Sequence, residues 1–247
     1  MKVVVFANKK GGVAKTISAL SFAAGLHDRG YKVLAIDLDA QANFSSASGA
    51  DAEAMGALDF IKGEPFADCV QQLNKYDLLA ADERMSDADS SLKGIGYQYK
   101  LSEALEQVSG YDYIVIDTPP NVGVFVENAL TAADEVIICC NSDSFSFDGL
   151  KQMRVNISAI QRYYNKRLTV KGVLLTRHKR NISLTKQLRE AFDAGAEAIG
   201  SKVFDSVIRE NTALNEAVAF RQDIFSYDKR SNGAKDYSAF IDEYLSM

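Results

Sequence analysis

The sequence predicts an α/β fold, a single doubly wound domain with a mostly parallel β-sheet and helices on both faces. Short, almost wholly apolar runs rich in valine and isoleucine alternate with segments of helical periodicity, a pattern typical of strands buried in a parallel sheet. The chain has 247 residues, 47% of them hydrophobic and 25% charged, which is typical of globular proteins and excludes wholesale disorder. Because no linker interrupts the pattern, we expect one domain over residues 1–247.

The predicted strands are the apolar, β-branched runs of the chain. The first reads KVVVFAN and the fourth DYIVID, and neither has the alternating polar positions of a half-exposed strand. Such runs predict strands at residues 2–8, 32–38, 77–81, 112–117, 135–140, 169–176 and 202–208.

The predicted helices are the segments between these runs in which apolar residues recur every three or four positions. Gly30 follows the first of them and predicts its end. The predicted helices span residues 16–29, 101–108, 122–133, 146–164, 183–195, 212–219 and 234–245. Residues 82–96, which are mostly polar, predict a mobile loop.

Cysteine usage and hydropathy limit the class of protein. The three cysteines, Cys69, Cys139 and Cys140, are odd in number and two are adjacent, so the sequence predicts no disulfide framework. No run approaches the roughly 18 apolar residues of a membrane span, and no segment has the pattern of a signal peptide. We therefore expect a cytoplasmic protein in a reducing compartment.

The charges of the chain are unevenly distributed. Residues 1–150 carry 11 Lys and Arg against 22 Asp and Glu, whereas residues 151–247 carry 17 against 11. A basic second part is consistent with a face that binds a polyanion. Chance clustering on solvated helices explains the same numbers, so charge alone leaves both interpretations open.

A glycine-rich segment after the first predicted strand indicates phosphate binding. Residues 8–16 read NKKGGVAKT and open the first predicted helix. Two glycines let the backbone approach a phosphate, Lys15 can bridge β- and γ-phosphates, and Thr16 can ligate Mg²⁺. The standard pattern GxxxxGK[ST] is not met, because Lys9 and Ala14 stand at its glycine positions. An ordinary strand–helix turn therefore remains an alternative for this segment taken alone.

The departure from the standard pattern matches the variant KGGxxK[ST], with a second lysine at Lys10. Further motifs follow in order: AIDLDAQAN at 35–43, YDYIVIDTPPNVG at 111–123, NALTAADEVII at 128–138, GVLLTRHKRN at 172–181 and FSYDKRSNGAKDY at 225–237. With these motifs the sequence resembles the ParA/MinD family of deviant Walker-A ATPases over nearly its whole length. It resembles most the ParA/Soj-type partition ATPases that lack an N-terminal helix-turn-helix domain.

The resemblance implies a P-loop NTPase fold, ATP and Mg²⁺ as cofactors, and a set of site residues. Lys10 would reach the nucleotide of a second subunit, and Asp39 would orient the attacking water. The implied catalytic residues are Lys10, Lys15 and Asp39; the nucleotide-binding residues are Lys10, Gly11, Gly12, Val13, Ala14, Lys15, Thr16 and Ile17; the metal site comprises Thr16, Asp37 and Asp117. A helix N-cap is the alternative role for Asp39.

Two residues of the loop depart from the family pattern. Ile17 stands where a second threonine is common, which removes one hydroxyl near the nucleotide. Ala14 adds a methyl group beside the phosphates, which is sterically possible if its φ is negative. Both changes bear on affinity and rate and leave the reaction type unchanged.

The resemblance also implies non-specific binding of duplex DNA through basic residues in the second half of the chain. The candidate DNA-binding residues are Arg177, Lys179, Arg180 and Arg209. The second arginine of the family pattern is displaced, because Glu210 occupies its position and Arg209 precedes it. Solvated surface charge is the alternative for each of them.

The implied function is that of a cytoplasmic, nucleoid-associated ParA-type ATPase. It would form a sandwich dimer with ATP, bind DNA and segregate plasmid or chromosomal DNA, or position a protein cargo. A ParB-like partner or cargo adaptor would stimulate its slow hydrolysis of ATP. Operator recognition is not expected, since no helix-turn-helix segment precedes the phosphate-binding loop.

Two other functions are possible on this fold. A MinD-like membrane switch needs a basic amphipathic tail, and residues 235–245 are amphipathic but acidic, so we expect them to pack on the core and no membrane binding. A metabolic enzyme, either a ligase or an iron–sulfur reductase, is the other possibility. The reductase needs cluster-binding cysteines, whereas Cys139 and Cys140 have the pattern of core residues.

Overall fold

The strands of the protein form one sheet at the centre of the molecule. The computed structural model describes residues 1–142, 146–178 and 186–247. Within these ranges the strands are β1 (Lys2–Ala7), β2 (Val33–Asp37), β3 (Val70–Gln72), β4 (Asp77–Leu79), β5 (Tyr113–Asp117), β6 (Glu135–Asn141), β7 (Thr169–His178) and β8 (Val203–Arg209). They lie in the order β3-β4-β2-β5-β1-β6-β7-β8. All neighbours are parallel except β3, which pairs antiparallel with β4 at one edge. The predicted fold class is therefore confirmed.

Helices connect the strands and cover the sheet. The helices in the described ranges are α1 (Lys15–His27), α2 (Asn43–Ala47), α3 (Ala57–Lys62), α4 (Phe66–Cys69), α5 (Met85–Ser91), α6 (Lys100–Ala104), α7 (Val124–Ala132), α8 (Ser146–Tyr163), α9 (Lys186–Glu197), α10 (Thr212–Ala219), α11 (Ile224–Asp228) and α12 (Asn232–Ser246). Short 3₁₀ turns, Tyr97–Tyr99 and Leu105–Gln107, flank α6.

Two apolar cores lie on opposite faces of the sheet. Along β1, Val3 and Val5 belong to one core while Val4 and Phe6 belong to the other, as the alternation of side chains along a strand requires. Because both faces are buried, the central strands are apolar at every position, which is why their sequences show no alternation.

The C-terminal helix α12 completes one of these cores. Its residues Tyr237, Phe240, Ile241 and Tyr244 are buried against the sheet and α1. The expectation that the acidic tail packs on the core is confirmed, and the apolar face of the tail is buried in the core.

The segment that the sequence predicts as a loop contains a helix. Residues 85–91 form α5, and the loop prediction is wrong there. Met85, Ala88 and Leu92 are buried, and their spacing of three and four places them on one face of the helix. The polar residues between these positions make the helical periodicity hard to recognise in the sequence. The predicted start of the helix at residue 183 lies outside the described residues.

Candidate active site

The loop between β1 and α1 bends twice into the left-handed backbone region. Gly12 has a φ of 71° and Ala14 a φ of 57°. Glycine adopts this region without steric cost, but an alanine there costs roughly 1–2 kcal/mol because its Cβ crowds a carbonyl oxygen. Ala14 therefore does not have the negative φ at which its methyl group would fit without this cost. The turn into α1 keeps a left-handed residue at the place where the standard loop pattern has a glycine.

The start of α1 presents unpaired backbone N–H groups to this loop. Lys15 is the first helical residue, Ala14 supplies no side-chain cap, and the first turn contains no acidic residue. The first N–H groups of a helix lack partners within the helix and carry its partial positive charge. This end of α1 therefore suits an anion.

Lys15 is the buried cation of the site. Its Nζ donates a long hydrogen bond of 3.4 Å to the Lys10 carbonyl oxygen. Burial lowers the pKa of Lys15, and the carboxylate of Asp117 opposes that shift by favouring the charged form. An ammonium group whose one hydrogen bond to the described residues is this weak can serve an incoming phosphate.

Two carboxylates lie side by side at the carboxyl ends of adjacent strands. Asp37 on β2 is the cross-strand partner of Asp117 on β5, and both are fully buried. Asp37 accepts hydrogen bonds from the Ser45 backbone N–H at 2.9 Å, the Ser45 hydroxyl at 2.8 Å and the Asp39 N–H at 3.1 Å. Burial nevertheless raises the pKa of Asp37 to about 6. The protein therefore fixes the orientation of this carboxyl group tightly.

Asp117 is the buried acid of the site whose carboxylate oxygens are least well satisfied by the described residues. Neither of its carboxylate oxygens has a well-formed hydrogen bond within the described part of the chain. Burial raises its pKa well above the usual range and the neighbouring Asp37 adds to the shift, while Thr16 and Lys15 oppose it. Because an unpartnered buried polar group is costly, such a group in a folded protein points to a missing ligand.

These residues fit a magnesium ion. The site offers the orphaned oxygens of Asp117, the neighbouring carboxyl of Asp37 and the hydroxyl-bearing Thr16 at the start of α1. The described residues contain no group of three or more His, Cys, Asp or Glu side chains able to hold a metal alone. Mg²⁺ is usually held by one or two carboxylates together with water and substrate phosphates, so it does not need such a group.

Asp39 shapes the turn that follows β2. Its Oδ1 accepts a hydrogen bond of 3.0 Å from the Gln41 N–H, and its carbonyl oxygen accepts one of 2.8 Å from the Ala42 N–H. The N-cap of α2 is Ala42, so Asp39 stabilises a turn and does not cap a helix. It also lines the cleft described next, where its half-buried carboxylate can meet a ligand.

A cleft of about 410 Å³ opens over the loop. The loop and the start of α1 form one wall, and the end of β8 with α10 forms the opposite wall. Its lining residues are Gly11, Gly12, Val13, Ala14, Lys15, Thr16, Ile17, Asp39, Gln41, Asn43, Pro120, Arg177, Ile208, Arg209, Glu210, Asn211, Leu214, Asn215, Val218 and Tyr237. The volume lies within the range of small-molecule sites. The structure thus brings seven of the eight predicted nucleotide-binding residues together with Asp39, and Lys10 is not part of this lining.

Two arginines predicted to bind DNA lie at the cleft instead of on a separate face. The Arg177 Nη1 donates to the Gly12 carbonyl oxygen at 3.1 Å, and its Nη2 lies 3.7 Å from a Glu210 carboxylate oxygen. Arg209 forms a bidentate ion pair with Asp236, the shortest contact being 2.6 Å. Both guanidinium groups are therefore already engaged. Lys179 and Arg180, the other two candidates, lie outside the described residues.

Three residues of the site were missed by the sequence analysis. Asn8 donates from Nδ2 to the Cys139 carbonyl oxygen, and its Oδ1 accepts from the Lys10 N–H at 3.1 Å. The Thr176 hydroxyl donates to the Val13 carbonyl oxygen at 3.1 Å. Tyr237 lines the cleft and is hydrogen-bonded to Ser18 of α1 at 2.9 Å. All three residues lie within motifs that carry the family resemblance, namely Asn8, Thr176 and Tyr237. Their place in these motifs is the sequence signal by which they could have been found.

None of the helices in the described ranges is both long enough and apolar enough to cross a bilayer.

The sequence has relatives over its whole length. The family model of the AAA domain matches residues 1–170. The chain is similar to the chromosome partitioning protein ParA of Caulobacter vibrioides, with 34% identity over 255 residues that cover 100% of this chain and 94% of that protein. It is also similar to the sporulation initiation inhibitor protein Soj of Bacillus subtilis, with 32% identity over 96% of this chain and 95% of the relative.

A similar solved structure carries ligands. It is the crystal structure of cobyrinic acid a,c-diamide synthase from Mycobacterium smegmatis with a bound ATP analog and magnesium. The two chains are 28% identical and superpose with a TM-score of 0.83, covering 99% of this chain and 94% of the other.

Proposed function

The chain belongs to the ParA/MinD family of partition ATPases, and on this premise we propose that it is a ParA-type switch that moves or positions a cargo. It is an ATPase that uses ATP with Mg²⁺. The observation that carries the proposal is the buried Lys15 and the unsatisfied Asp117 beside the phosphate-binding loop. Residues 1–247 act in this proposal as a single ATPase domain.

Each residue of the site has a role in hydrolysis. The backbone from Gly11 to Thr16 surrounds the phosphates, and Lys15 neutralises the charge that develops on them. Magnesium supplies further neutralisation of the phosphate charge when it is bound. Thr16, Asp37 and Asp117 would hold the metal site, with Asp37 kept in place by Ser45.

Asp39 is the proposed residue that orients the attacking water. It lies at the rim of the cleft, and its turn fixes the direction of its carboxylate through the bond from Gln41. A carboxylate in this position can accept a hydrogen bond from a water that approaches the terminal phosphate. Val13, Ala14 and Ile17 contribute mainly shape, since they are apolar.

Lys10 is the proposed link to a second subunit. Its backbone is fixed by the bond from its N–H to Asn8, but its side chain does not contribute to the lining of the cleft of its own chain. A lysine next to the loop but outside the cleft is suited to act on the nucleotide of a partner, as an arginine finger does. The homodimer would then form only with ATP.

The proposed partners are non-specific duplex DNA and a ParB-like protein or cargo adaptor that stimulates hydrolysis. The relatives named chromosome partitioning protein and Soj support this proposal, as does the basic second half of the chain. The protein would act in the cytoplasm on the nucleoid. A MinD-like membrane function is less well supported, because the apolar face of α12 is buried in the core.

The test is binding of the purified protein to random duplex DNA with ATP, ADP or no nucleotide, over a series of salt concentrations. Lys10→Ala would be compared with Lys9→Ala, which removes an exposed lysine from the neighbouring position. We expect binding that requires ATP, weakens with salt and is lost only in Lys10→Ala.

DNA binding that is equal in all three nucleotide states would contradict the switch. Absence of DNA binding in every state would contradict the partition function and leave the ATPase activity, which phosphate release measures separately. In that case a small-molecule ligase reaction on this fold would be the next function to test.

A further inference from the structure

The basic charge of the chain is concentrated in one uninterrupted segment. Residues 149–189 contain 11 Lys and Arg and no Asp or Glu, whereas residues 101–150 contain nine Asp and Glu and no Lys or Arg. Such a sharp change in sign along the chain concentrates positive charge on the elements formed by the basic segment. In the structure these are most of α8, the turn after it, β7 and the beginning of α9.

Helix α8 divides into a buried face and a basic exposed face. Leu150, Met153, Ile157 and Ile160 are buried in the core. Most residues between them are exposed, and this exposed surface continues into the turn that follows the helix. We call this surface the α8 basic face and define it by Arg154, Val155, Arg162, Tyr163, Lys166 and Arg167.

The charges of the α8 basic face form no ion pair with the residues that the structure describes. Lys171, Arg177, Arg189 and Arg209, which come from the rest of the same half of the chain, lie within ion-pair distance of Glu or Asp side chains. Within the described residues, no such contact involves any of the four basic residues of the α8 basic face, namely Arg154, Arg162, Lys166 and Arg167. Their positive charge is therefore available to a partner.

We propose that the α8 basic face binds the phosphate backbone of duplex DNA. This inference rests on the proposed function and assigns its DNA surface to residues other than Arg177 and Arg209, which are engaged at the cleft. The three basic residues Arg162, Lys166 and Arg167 would contact neighbouring phosphates, and Arg154 would contact the far side of a groove.

The spacing along the helix fits a duplex. At a rise of 1.5 Å per residue, Arg154 and Arg162 are separated by roughly 12 Å along α8, which is about the width of the major groove. Tyr163 is 63% exposed, and the Arg162 guanidinium lies 5.2 Å from the centre of its ring. The tyrosine can thus hold the arginine in place and donate a hydrogen bond to a phosphate.

A membrane surface fits this face less well. Val155 and Tyr163 are its only large apolar or aromatic residues, which is too few for a helix that inserts its apolar side among lipids. Exposed cations without an apolar stripe suit a polyanion that is bound through its phosphates.

The beginning of α8 contacts the phosphate-binding loop, which offers a route from nucleotide to DNA. A Cβ at Gly149 would lie 2.9 Å from Asn8 Oδ1, so α8 approaches Asn8 closely. The same Oδ1 accepts the hydrogen bond from the Lys10 N–H. Asn8 would therefore be the side chain through which a movement of the loop on ATP binding reaches α8.

The test uses the full chain with ATP and a random DNA duplex. The variant Arg162→Ala/Lys166→Ala/Arg167→Ala would be compared with Lys229→Ala/Arg230→Ala/Lys235→Ala, which removes three exposed charges near α12. We expect the first variant to bind DNA at least tenfold more weakly at equal salt. Each lost phosphate contact should lower the slope of log affinity against log salt by about 1. We expect the control to bind like the wild type and both to keep the ATP turnover measured without DNA.

Three results would overturn the assignment. If the wild type binds DNA and the α8 variant binds equally well, the DNA surface lies elsewhere while the proposed function stands. If the wild type binds no DNA, both proposals fail. If the variant loses binding to an acidic peptide or to phosphatidylserine vesicles but keeps DNA binding, the face belongs to that partner. A charge-conserving variant, Arg162→Lys/Lys166→Arg/Arg167→Lys, should retain binding and so separates loss of charge from loss of structure.

Discussion

Asp117 and Glu135 are both buried acids at the ends of central strands, but they lie at opposite ends of these strands. We call the side of the sheet where the parallel strands end the carboxyl edge, and the side where they begin the amino edge. Asp117 ends β5 at the carboxyl edge, and its oxygens lack well-formed partners in the described residues. Glu135 begins β6 at the amino edge and accepts hydrogen bonds from Lys2 at 2.9 Å and from the Tyr244 hydroxyl, with Lys171 at 3.6 Å. Asp117 is thus available to a ligand, whereas Glu135 is hydrogen-bonded and ion-paired within the protein.

The pKa values of the two acids record the same difference. Burial raises the pKa of Asp117 far above its usual range. Burial acts in the same direction on Glu135, but the hydrogen bonds from Tyr244 and Lys2 and the charge of Lys171 outweigh it, so its pKa lies below the usual value. The amino edge therefore stabilises the fold, whereas the carboxyl edge keeps an unfavourable arrangement that a bound ligand can relieve.

Three of the four non-glycine residues with a positive φ in the described part of the chain lie at the carboxyl edge. Ala14 follows β1, Ala42 follows β2 and Arg177 lies near the end of β7, while the fourth, Arg221, follows α10. At the amino edge, the turn before β2 uses Gly30, with a φ of 89°. Backbone strain is thus tolerated where the cleft is built and is absent from the turn before β2.

The largest effect expected from this comparison is the loss of activity in Asp117→Asn. The change removes the negative charge that the metal site needs, and we expect ATP turnover to fall by roughly 100-fold. The melting temperature in EDTA should stay equal or rise, because a costly buried carboxyl is removed. Phosphate release and thermal melting measure the two effects. A clear fall in melting temperature would show that Asp117 stabilises the fold. In that case Asp117 and Glu135 would not differ in their contribution to stability.

The converse change at the amino edge is Glu135→Gln. We expect the free energy of unfolding to fall by about 2 kcal/mol, because two hydrogen bonds to a charged group are weakened. ATP turnover should be retained, because Glu135 lies at the edge opposite the cleft. Urea unfolding together with phosphate release measures both effects, and a variant with wild-type stability would refute the structural role.

The loss of stability in Glu135→Gln should depend on pH. The folded-state pKa of Glu135 lies below its unfolded value of about 4.3, so its stabilisation is present above pH 4.3 and is lost as the pH falls through the folded-state pKa. The difference between wild type and Glu135→Gln should therefore shrink in acid. In EDTA, Asp37 should behave oppositely, since its pKa is raised from 3.8 to about 6 and its contribution is lost as the pH rises through that value.

The smallest expected effect concerns the strained turn. Ala14→Gly should raise the free energy of unfolding by up to about 1 kcal/mol, since relief of the left-handed strain exceeds the entropy gained by the unfolded chain. Gly30→Ala at the amino edge is the matched control and should lower stability by a similar amount. Urea unfolding measures both changes. A destabilised Ala14→Gly protein would show that the alanine methyl group contributes packing that outweighs the strain.

The sequence predicts the central strands well. β1, β5 and β6 are recognisable because strands buried on both faces are continuous apolar runs. Short motifs place Lys15 after the first strand and Asp117 at the end of β5, and the roles of both residues stay predictions. By contrast, β3 has only three residues, and α5 hides its buried positions among polar ones, so neither leaves a clear pattern.

The direction of a charged side chain was the part that the sequence could not give. The resemblance implies DNA binding by Arg177 and Arg209, and in the structure they also contact Gly12 and Asp236, which are distant in sequence and leave no local signal. Asn8 was missed for the same reason, because it joins β6 to the loop through a contact across 131 positions. Such contacts follow from the completed fold and not from any local pattern.

The position of β1 in the sheet has a consequence for the synthesis of the protein. β1 leaves the ribosome before the other described strands, yet it lies in the middle of the sheet, where Lys2 pairs with Tyr113 of β5 and Val4 with Glu135 of β6. At roughly 5–20 residues per second, these partners emerge several seconds later. During that time an apolar strand has both edges uncovered, which is the condition under which strands associate with other chains. The yield of native protein should therefore depend on how well the nascent chain is shielded until β6 has been made.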